Sequence, residues 1–406
     1  MSTKLILTKM RIIHEVATKK ELMIAAKIEN DHLTDLNVIQ DQKGSLINHI
    51  FIGRVDRIAE NIHAMFVKYG NNETCYIPFS DAKYAIFTQK FSKNKDIAVG
   101  DEILIQIVRD PIKTKLAAAA TCLSISGQYV VVSSNKNQSG VSKKITGRKR
   151  NHLSELMDKL NAEFPEIGIV ARTNSRFVNE ELIVEEGRIL AKQMLEILDT
   201  AKHKVRYTCI YKAMPEYLSL IKNSYQGEFD EIITDDKEKY DSMLSYMSSF
   251  PDNMRTPLRF YDDNYPLDKL YSLQREIGQA LDKVIWLKSG SYLVIEYTEA
   301  MTVIDVNSGK NANKDFGDFF LKINLEAAHE IARQLKIRNI SGMCMIDFID
   351  MQDEAHKLTL IETFRELLAK DHITTTLVDM TKLNLVEVTR KKVNRPLIEQ
   401  VREENA

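Results

Sequence analysis

The sequence has few cysteines, little net charge and no long apolar run. Its four cysteines among 406 residues are widely separated and form no Cys-x-x-Cys pair, which argues against a disulfide framework or a structural zinc site. A reducing compartment such as the cytoplasm fits this pattern. The sequence has no stretch of about 18 apolar residues, and its first residues contain no apolar segment of signal-peptide length, so neither membrane spanning nor export is expected.

The formal net charge of −1 gives the chain no overall field that would attract a polyanion. Any affinity for nucleic acid must therefore come from local basic segments. Residues 113–150 form such a segment, because they contain several Lys and Arg residues but neither Asp nor Glu. The segment could bind phosphates along a nucleic-acid backbone, although a run of charge is more often a solvated face. The chain length predicts about two to four domains.

Two short apolar runs, residues 302–307 (TVIDVN) and 343–350 (MCMIDFID), each contain acidic residues near their end. β-Branched and apolar runs of this length predict strands. A carboxylate in a buried strand needs a partner, because an unpaired buried charge is costly. Successive residues of a strand point to opposite faces, so Asp305 and Asn307 share one face.

A helix predicted to begin at Asn324, as its cap, and to end near Arg338 separates the two runs. The order strand, helix, strand makes the strands parallel, which places Asp305 and Asp347 at neighbouring carboxyl ends. Two carboxylates and the amide of Asn307 would form an oxygen site of the kind that suits Mg²⁺. The alternative is that each acid caps a helix or pairs with a basic side chain.

Several short strands separated by turns lie between Leu46 and Arg109, a pattern typical of a small antiparallel barrel. Phe66 and Tyr76 stand on either side of a Gly-Asn-Asn hairpin turn. Exposed aromatics on neighbouring strands of an oligonucleotide-binding barrel stack unpaired bases, at about 1–3 kcal/mol per base. A lone aromatic is more often part of a core, so both interpretations stay open.

Arg172 and Thr173 end a further predicted strand. A guanidinium fork beside a hydroxyl suits a terminal phosphate, and a surface ion pair is equally consistent with the pattern. The spacings of a Walker phosphate loop, a zincin helix and a nucleophile elbow are all missing from the chain. The sequence therefore offers the paired acids as its main candidate for chemistry.

Three motifs resemble the bacterial ribonuclease E/G family: TVIDVNSGK (302–310), NLEAAHEIARQLKIRNISGMCMIDFIDM (324–351) and GIVARTNS (168–175). The resemblance extends over nearly all of the chain. It implies a cytoplasmic endoribonuclease that cuts single-stranded RNA with Mg²⁺, for which Mn²⁺ could substitute, and leaves 5′-phosphate and 3′-hydroxyl ends. Its expected partners are messenger RNA and ribosomal RNA precursors, in RNA processing and decay.

The resemblance also implies a mixed α/β and α+β multidomain fold. The expected domains are an RNase H-like domain of residues 1–39 and 213–281, an oligonucleotide-binding (OB-fold) barrel of residues 40–118, a 5′-sensor region of residues 119–212, a DNase I-like catalytic domain of residues 282–396 and a fraying tail of residues 397–406. The chain stops before the Cys-x-x-Cys zinc link of the well-known members. Neither structural zinc nor a zinc-linked dimer is therefore expected, while another homo-oligomer stays open.

Site residues follow from the same resemblance, position by position. Asp305 and Asp347 match the metal-binding catalytic aspartates, and Asn307 matches the amide that holds the first of them. The family's RNA-contacting positions in the barrel correspond to Phe66, Tyr76, Arg109 and Lys115 of this sequence. The family's pocket for a 5′-monophosphate corresponds to Gly127, Val131, Lys143, Arg172 and Thr173. Tyr76 stands where a phenylalanine of the barrel is usual. Lys143 stands where the pocket usually has an arginine, and Thr374 where a further arginine is common, which puts 5′-end sensing in doubt.

Two rival functions fit parts of this pattern. A non-catalytic regulator could use the barrel to bind single-stranded RNA without cleaving it, but the retention of both aspartates and the asparagine argues against that function. A DNA nuclease could use the same carboxylates, and competition with an all-DNA substrate would identify it, because contacts to 2′-hydroxyls distinguish RNA from DNA.

Overall fold

The computed structural model describes residues 2–17, 21–39, 45–92, 96–111, 115–224, 228–248, 255–309, 317–393 and 395–402. The fold is mixed α/β and divides into two units: unit 1 comprises Met1–Asp41 and Gly227–Ala406, and unit 2 comprises Gln42–Gln226. Of the helices in the described part of the chain, none combines the length and the apolar character that crossing a bilayer requires.

The strands, in chain order, are β1 (Thr3–Arg11), β2 (Glu21–Glu29), β3 (His32–Ile39), β4 (Ile50–Ala59), β5 (Ala64–Lys68), β6 (Thr74–Pro78), β7 (Phe87–Gln89), β8 (Glu102–Arg109), β9 (Ala117–Ala120), β10 (Ser124–Ser126), β11 (Val130–Ser133), β12 (Gly140–Val141), β13 (Gly168–Ala171), β14 (Cys209–Tyr211), β15 (Glu231–Thr234), β16 (Leu258–Phe260), β17 (Val284–Trp286), β18 (Tyr292–Tyr297), β19 (Met301–Asn307), β20 (Gly342–Asp347), β21 (Thr375–Met380) and β22 (Leu385–Arg390). The helices are α1 (Phe79–Ala82), α2 (Gly147–Glu163), α3 (Glu180–Ala201), α4 (Glu216–Asn223), α5 (Lys237–Met247), α6 (Leu267–Leu270), α7 (Leu273–Leu281), α8 (Gly317–Ile337), α9 (Glu354–Ala369) and α10 (Leu397–Val401).

Unit 1 contains a five-stranded sheet in the order β16-β15-β1-β2-β3. Strands β1 to β3 form an antiparallel meander, while β15 pairs in parallel with both β1 and β16. Asn30 and Asp31, between β2 and β3, have φ angles of 49° and 63°. Tight hairpins favour such left-handed turns because their twist matches that of the strands. The apolar face of this sheet is buried.

A six-stranded sheet in unit 1, in the order β17-β18-β19-β20-β22-β21, holds the predicted strand, helix, strand unit. Strands β19 and β20 are parallel neighbours, as predicted. Ile304 and Ile346 of these strands belong to one core with Ile331 of α8 and Phe364 of α9. The two helices therefore cover one face of the sheet, where the alternate residues of each strand are buried.

Helix α8 corrects one sequence prediction. It begins at Gly317, well before Asn324, which lies inside the helix and is fully buried. The side-chain amide of Asn324 donates a hydrogen bond to the carbonyl oxygen of Ile349 at 2.8 Å and accepts one from its N–H at 3.0 Å. The predicted cap is wrong because this amide satisfies the backbone of the segment that follows β20, a long-range role that the local pattern does not reveal.

Residues 397–402 differ from the prediction of a fraying tail over 397–406, whose residues 403–406 lie outside the described part of the chain. Residues Leu397–Val401 form α10, and Leu397 and Val401 are buried in the core of the five-stranded sheet. The N–H of Leu397 also donates a hydrogen bond to the carbonyl oxygen of Arg338. Burial of two apolar side chains and a backbone hydrogen bond to the residue that follows α8 fix a helix that is too short to be stable alone.

Unit 2 contains a closed five-stranded barrel in the order β4-β5-β6-β9-β8, because β4 pairs with both β5 and β8. This confirms a small oligonucleotide-binding-like barrel. Two details differ from the strand pattern: β9 lies beyond Arg109, and it pairs in parallel with β6, whereas the pattern predicted an antiparallel barrel. Its core includes Val55, Met65 and Ile105. Gly53 lies where a Cβ atom would come within 2.5 Å of Val67 Cγ1, so a larger residue would force the β4 and β5 strands apart.

A second sheet of unit 2, in the order β10-β11-β13-β12, packs against α2 and α3. The sheet positions the end of β13, where Arg172 and Thr173 follow. The predicted helices over 151–162 and from Asn179 to Lys204 correspond to α2 and α3. Of the basic segment 113–150, Lys113 lies outside the described residues.

Glu216 at the start of α4 predicts a pH-dependent stability of unit 2. Burial and the nearby charge of Asp110 raise the pKa of Glu216 from 4.5 to about 7. Because the folded state then binds the proton more tightly than the unfolded state, the free energy of unfolding falls as pH rises between these values. Glu216→Gln should remove this decline and stabilise the protein by about 1–3 kcal/mol near pH 8.

Urea unfolding of the full chain at a series of pH values would measure this effect. Glu196→Gln is the matched control, because Glu196 is exposed on α3 in the same unit. A Glu216→Gln curve that runs parallel to the wild-type curve between pH 4.5 and pH 7 would contradict the prediction.

Candidate functional site

The two predicted acids are side by side in the six-stranded sheet. Asp305 of β19 and Asp347 of β20 are direct register partners, and both are exposed. Neighbouring strands lie about 4.8 Å apart, so their Cα atoms are separated by one strand spacing. Asp347 is the last residue of β20, and Asp305 lies close to the end of β19. The structure therefore brings both acids to the carboxyl ends of parallel strands, as the sequence predicts.

Hydrogen bonds from two asparagine side chains orient carboxylates at and beside the acid pair. The side-chain amide of Asn307 donates to Oδ2 of Asp305 at 2.7 Å. A residue that the sequence prediction did not assign to the site, Asn384, donates to Oδ1 of Asp350 at 3.1 Å. Asn384 lies in the turn between β21 and β22, and its φ of 60° belongs to the left-handed conformation that Asn tolerates better than most residues. Only this turn, which is distant in sequence, brings the amide to the site.

The electrostatics of the pair favour a bound cation. Although the Asp347 side chain is exposed, its partial desolvation at the sheet surface raises its pKa, and the charges of Asp305 and Asp350 raise it further. Among the described residues, no Lys or Arg forms an ion pair with Asp305 or Asp347. Within this described part of the chain, neither acid is neutralised by a basic side chain of its own. A divalent cation would relieve the repulsion between the carboxylates.

The donor set fits magnesium better than zinc. Within the described parts of the chain, no three His, Cys, Asp or Glu side chains are grouped around one potential ion position. Zinc sites usually require such a group of nitrogen or sulfur ligands. Magnesium is commonly bound by one or two carboxylates and keeps several waters, so a pair of carboxylates such as Asp305 and Asp347 is the kind of donor set that could hold it.

Aromatic side chains line the outside of the barrel. Phe66 of β5 and Tyr76 of β6 are register partners, with ring centroids 6.2 Å apart and an edge-on angle of 73°. Neither ring belongs to the barrel core, and both are partly exposed. The guanidinium of Arg57 lies 4.4 Å from the Phe66 centroid. The two rings are therefore available to a ligand, with a cation beside them.

The predicted basic contacts lie near this pair. Tyr76 is the register partner of Ala118 in β9, and Ala118 is also the partner of Arg109 in β8. Phe66, Tyr76 and Arg109 therefore follow one cross-strand row, with a small alanine between the last two. Arg109 and Lys115 are both exposed. A row of π-faces that ends at a cation suits a single strand of nucleic acid, because bases stack and phosphates pair.

The predicted phosphate pocket is grouped around the end of β13. Arg172 donates one hydrogen bond from Nη1 to the Gly127 carbonyl oxygen and another to Asn223 Oδ1, the latter at 3.0 Å. Burial lowers the pKa of Arg172, although nearby Glu186 opposes the shift. Thr173 shares a hydrogen bond of 2.9 Å with Ser142.

The remaining members of this group lie on neighbouring elements. Val131 is the register partner of Val170, just before Arg172, and Lys143 is exposed next to Ser142. The structure thus brings together the segments that carry the five predicted residues.

The sequence prediction missed Glu186 of α3. Its carboxylate accepts hydrogen bonds from the backbone N–H groups of Gln128, Tyr129 and Val130, at 2.6, 2.7 and 3.0 Å. A Cβ atom on Gly127 would come within 2.4 Å of this carboxylate. The acid therefore fixes the loop that carries Gly127, and a larger residue at position 127 would displace the Glu186 carboxylate from these hydrogen bonds. Nothing in the local pattern of α3 marks Glu186 among several neighbouring glutamates.

Comparison with known proteins gives a consistent result. The model of the ribonuclease E/G family matches residues 124–393. Ribonuclease G of Escherichia coli (strain K12) is 29% identical over 388 residues, which span 93% of this chain and 78% of that protein. Ribonuclease G of Haemophilus influenzae is 28% identical over 94% of this chain and 79% of its own length. A putative ribonuclease E of Buchnera aphidicola subsp. Baizongia pistaciae is 28% identical, over 93% of this chain and 94% of its own.

The family match includes both strands that carry the paired acids, as well as the end of β13. It spans more than half of the chain, and the similarity to ribonuclease G of Escherichia coli extends over 93% of the chain. The chain therefore belongs to the ribonuclease E/G family.

Proposed function

We propose that this endoribonuclease cleaves single-stranded RNA in a Mg²⁺-dependent reaction that leaves 5′-phosphate and 3′-hydroxyl ends. The observation that carries the proposal is the parallel register of Asp305 and Asp347. In a member of the ribonuclease E/G family, two adjacent carboxylates without a basic partner among the described residues are the natural position for a catalytic cation.

The residues of the chain have separate roles in this mechanism. Asp305 and Asp347 would hold the cation, and Asn307 keeps the Asp305 carboxylate in one orientation through its 2.7 Å hydrogen bond. Bound Mg²⁺ supplies Lewis-acid activation of a phosphodiester and of water. Attack by water, and not by the neighbouring 2′-hydroxyl, accounts for a 3′-hydroxyl end.

The barrel explains a preference for unpaired RNA. Bases must be splayed out of a helix before they can stack on Phe66 and Tyr76, and the deep groove of A-form RNA hides base edges from side chains. Arg109 and Lys115 would pair with the phosphates of the same strand. The expected substrates are messenger RNA and ribosomal RNA precursors in the cytoplasm.

Phe66→Ala should raise KM for a single-stranded RNA by about 5- to 100-fold and change kcat little, because one stacked base is worth about 1–3 kcal/mol. Steady-state cleavage of a fluorescent oligoribonucleotide would measure both constants. Phe91→Ala is the matched control, because Phe91 is 58% exposed outside the aromatic row. An unchanged KM in Phe66→Ala would contradict the proposal that RNA bases stack on the barrel.

We further propose that Gly127, Val131, Lys143, Arg172 and Thr173 recognise the 5′-phosphate of the RNA. Lys143 offers one point charge where arginine would offer two parallel hydrogen bonds, so discrimination between 5′ ends should be weaker than with arginine. The assignments of an RNase H-like domain and of a DNase I-like domain over residues 282–396 stay predictions.

One experiment tests the main points of this proposal. The same single-stranded RNA, prepared with a 5′-monophosphate and with a 5′-triphosphate, is incubated with the protein in Mg²⁺ or in EDTA, and the product ends are identified. Cleavage only in Mg²⁺, with 5′-phosphate and 3′-hydroxyl products, supports the mechanism. Cyclic phosphate ends would contradict attack by water. Binding without cleavage in Mg²⁺ would leave a non-catalytic RNA-binding regulator.

A further inference from the structure

The face of the six-stranded sheet opposite α8 and α9 carries more than the acid pair. Trp286 of β17 is the register partner of Tyr292 in β18, and Tyr292 is the register partner of Asn307 in β19. Directly opposite residues of neighbouring strands point to the same face, and Asp305 shares that face with Asn307. One cross-strand row therefore runs from an aromatic pair at the edge of the sheet to the amide that holds Asp305.

Trp286 of this aromatic pair is strongly exposed, while Tyr292 is half-buried. Trp286 is the only tryptophan of the chain and is 69% exposed. Its ring packs against that of Tyr292, with centroids 5.0 Å apart and an angle of 50° between the planes. By contrast, Ile285 between Val284 and Trp286 is buried in the core. A large aromatic side chain that remains in solvent while its neighbour is buried is available for a ligand.

The position of the pair suits a nucleotide close to the cleaved bond. Two strand spacings separate the Cα atoms of Trp286 and Asn307, which is about 10 Å. Glu296, on the same face of β18, forms an ion pair with Lys283, so its charge is compensated. An RNA strand that presents a phosphate to Asp305 and Asp347 could therefore place a neighbouring base on the indole without meeting an unpaired carboxylate of β18.

We propose that Trp286, supported by Tyr292, is a stacking platform for a base next to the scissile phosphate. The inference rests on the proposed function, because that function places the phosphate at the acid pair. Stacking uses the π-face that every base presents, so the platform selects a position along the strand more than a sequence. It fixes which phosphodiester lies at Asp305 and Asp347, whereas the barrel aromatics contribute affinity elsewhere on the strand.

The single tryptophan allows a direct test by its own fluorescence. The full chain carrying Asp347→Asn, which the proposed function makes inactive, is titrated in Mg²⁺ with a single-stranded oligoribonucleotide and with versions that carry one abasic residue at successive positions. Stacking should quench the emission of Trp286, and the quench should disappear when the abasic residue occupies one particular position. Emission that is unchanged at saturating RNA, as judged by anisotropy of a labelled strand, would overturn the platform.

Kinetics provide the second readout. Trp286→Ala should lower kcat/KM by about 5- to 100-fold on the RNA that has a base at every position. An abasic residue at the sensitive position should not lower kcat/KM of this variant any further. Trp286→Phe should retain most of the activity, because a phenyl ring still stacks. Val284→Ala, on the same strand and the same face, is the matched control and should behave as the wild type.

The outcomes separate this inference from the proposed function. Mg²⁺-dependent cleavage with wild-type kcat/KM in Trp286→Ala would overturn the platform and leave the proposed function intact. Failure of the wild type to cleave RNA would refute the proposed function, while a quench lost at one abasic position would still support base stacking on Trp286. Equal loss of activity in Trp286→Phe and Trp286→Ala would show that the indole acts in folding and would overturn the inference.

Discussion

Asp347→Asn is expected to lower kcat for cleavage of single-stranded RNA by about 10³-fold or more, which corresponds to about 4 kcal/mol of lost transition-state stabilisation. Asparagine keeps the shape of the side chain at the end of β20 but removes the negative charge that would hold the cation beside Asp305. Single-turnover cleavage of a fluorescent oligoribonucleotide in saturating Mg²⁺ would measure the loss. Asp305→Asn should have a comparable effect, and the double variant should be little worse than either single one, since the two acids act as a unit.

Binding and folding must be shown to survive in these variants. In EDTA, Asp347→Asn should bind single-stranded RNA with the wild-type Kd, because the proposal assigns affinity largely to the barrel. Asp379→Asn is the matched control, because it removes one exposed carboxylate from β21 of the same sheet. Cleavage by Asp347→Asn at the wild-type rate would refute the assignment of the acid pair as the catalytic site.

The acid pair could be predicted from sequence because each step depended on local pattern. The alternation of side chains along a strand predicted that Asp305 and Asn307 share one face. The helix between the two apolar runs predicted that their strands are parallel. The structure adds the register, in which Asp305 lies directly opposite Asp347. A shift by one residue would have placed the two acids on opposite faces, so the apolar pattern of the strands, with Ile304 beside Ile346, also fixes the acids.

The features that sequence reasoning missed depend on pairings between distant segments. The row of Trp286, Tyr292 and Asn307 exists only because β17 and β18 pair in one register, and no local pattern reports that register. The same holds for Glu186, whose carboxylate fixes a loop far away in sequence, and for Asn324, which resembles a helix cap but is buried within α8. Glu and Asn side chains can form several kinds of hydrogen bond with the backbone, and tertiary contacts determine which kind a given residue forms.

A buried ion pair holds one side of the sheet that carries the acids. Arg390 of β22 and Asp371 after α9 form a 2.7 Å contact between Nε and Oδ2, with side chains only 1% and 5% exposed. Nη1 of Arg390 also donates to Asn339 Oδ1 at 2.8 Å and to the Ile340 carbonyl oxygen at 3.1 Å. Burial alone would raise the pKa of Asp371, but the hydrogen bond and the charge of Arg390 outweigh it and lower that pKa.

Asp371→Asn is therefore expected to destabilise unit 1 by about 3–5 kcal/mol at neutral pH, because it leaves the charge of Arg390 buried without its partner. The folded pKa of Asp371 is lowered, so its stabilising contribution is fully present above the ordinary carboxyl pKa of about 4 and is lost as pH falls through the folded value. The difference in the free energy of unfolding between the wild type and Asp371→Asn should therefore become smaller at acidic pH. Urea unfolding of the full chain at several pH values measures both, with Glu366→Gln, an exposed acid of α9, as the matched control. A variant that lost less than about 1 kcal/mol at neutral pH would show that the guanidinium is solvated or re-paired with the carbonyl groups at the end of α8.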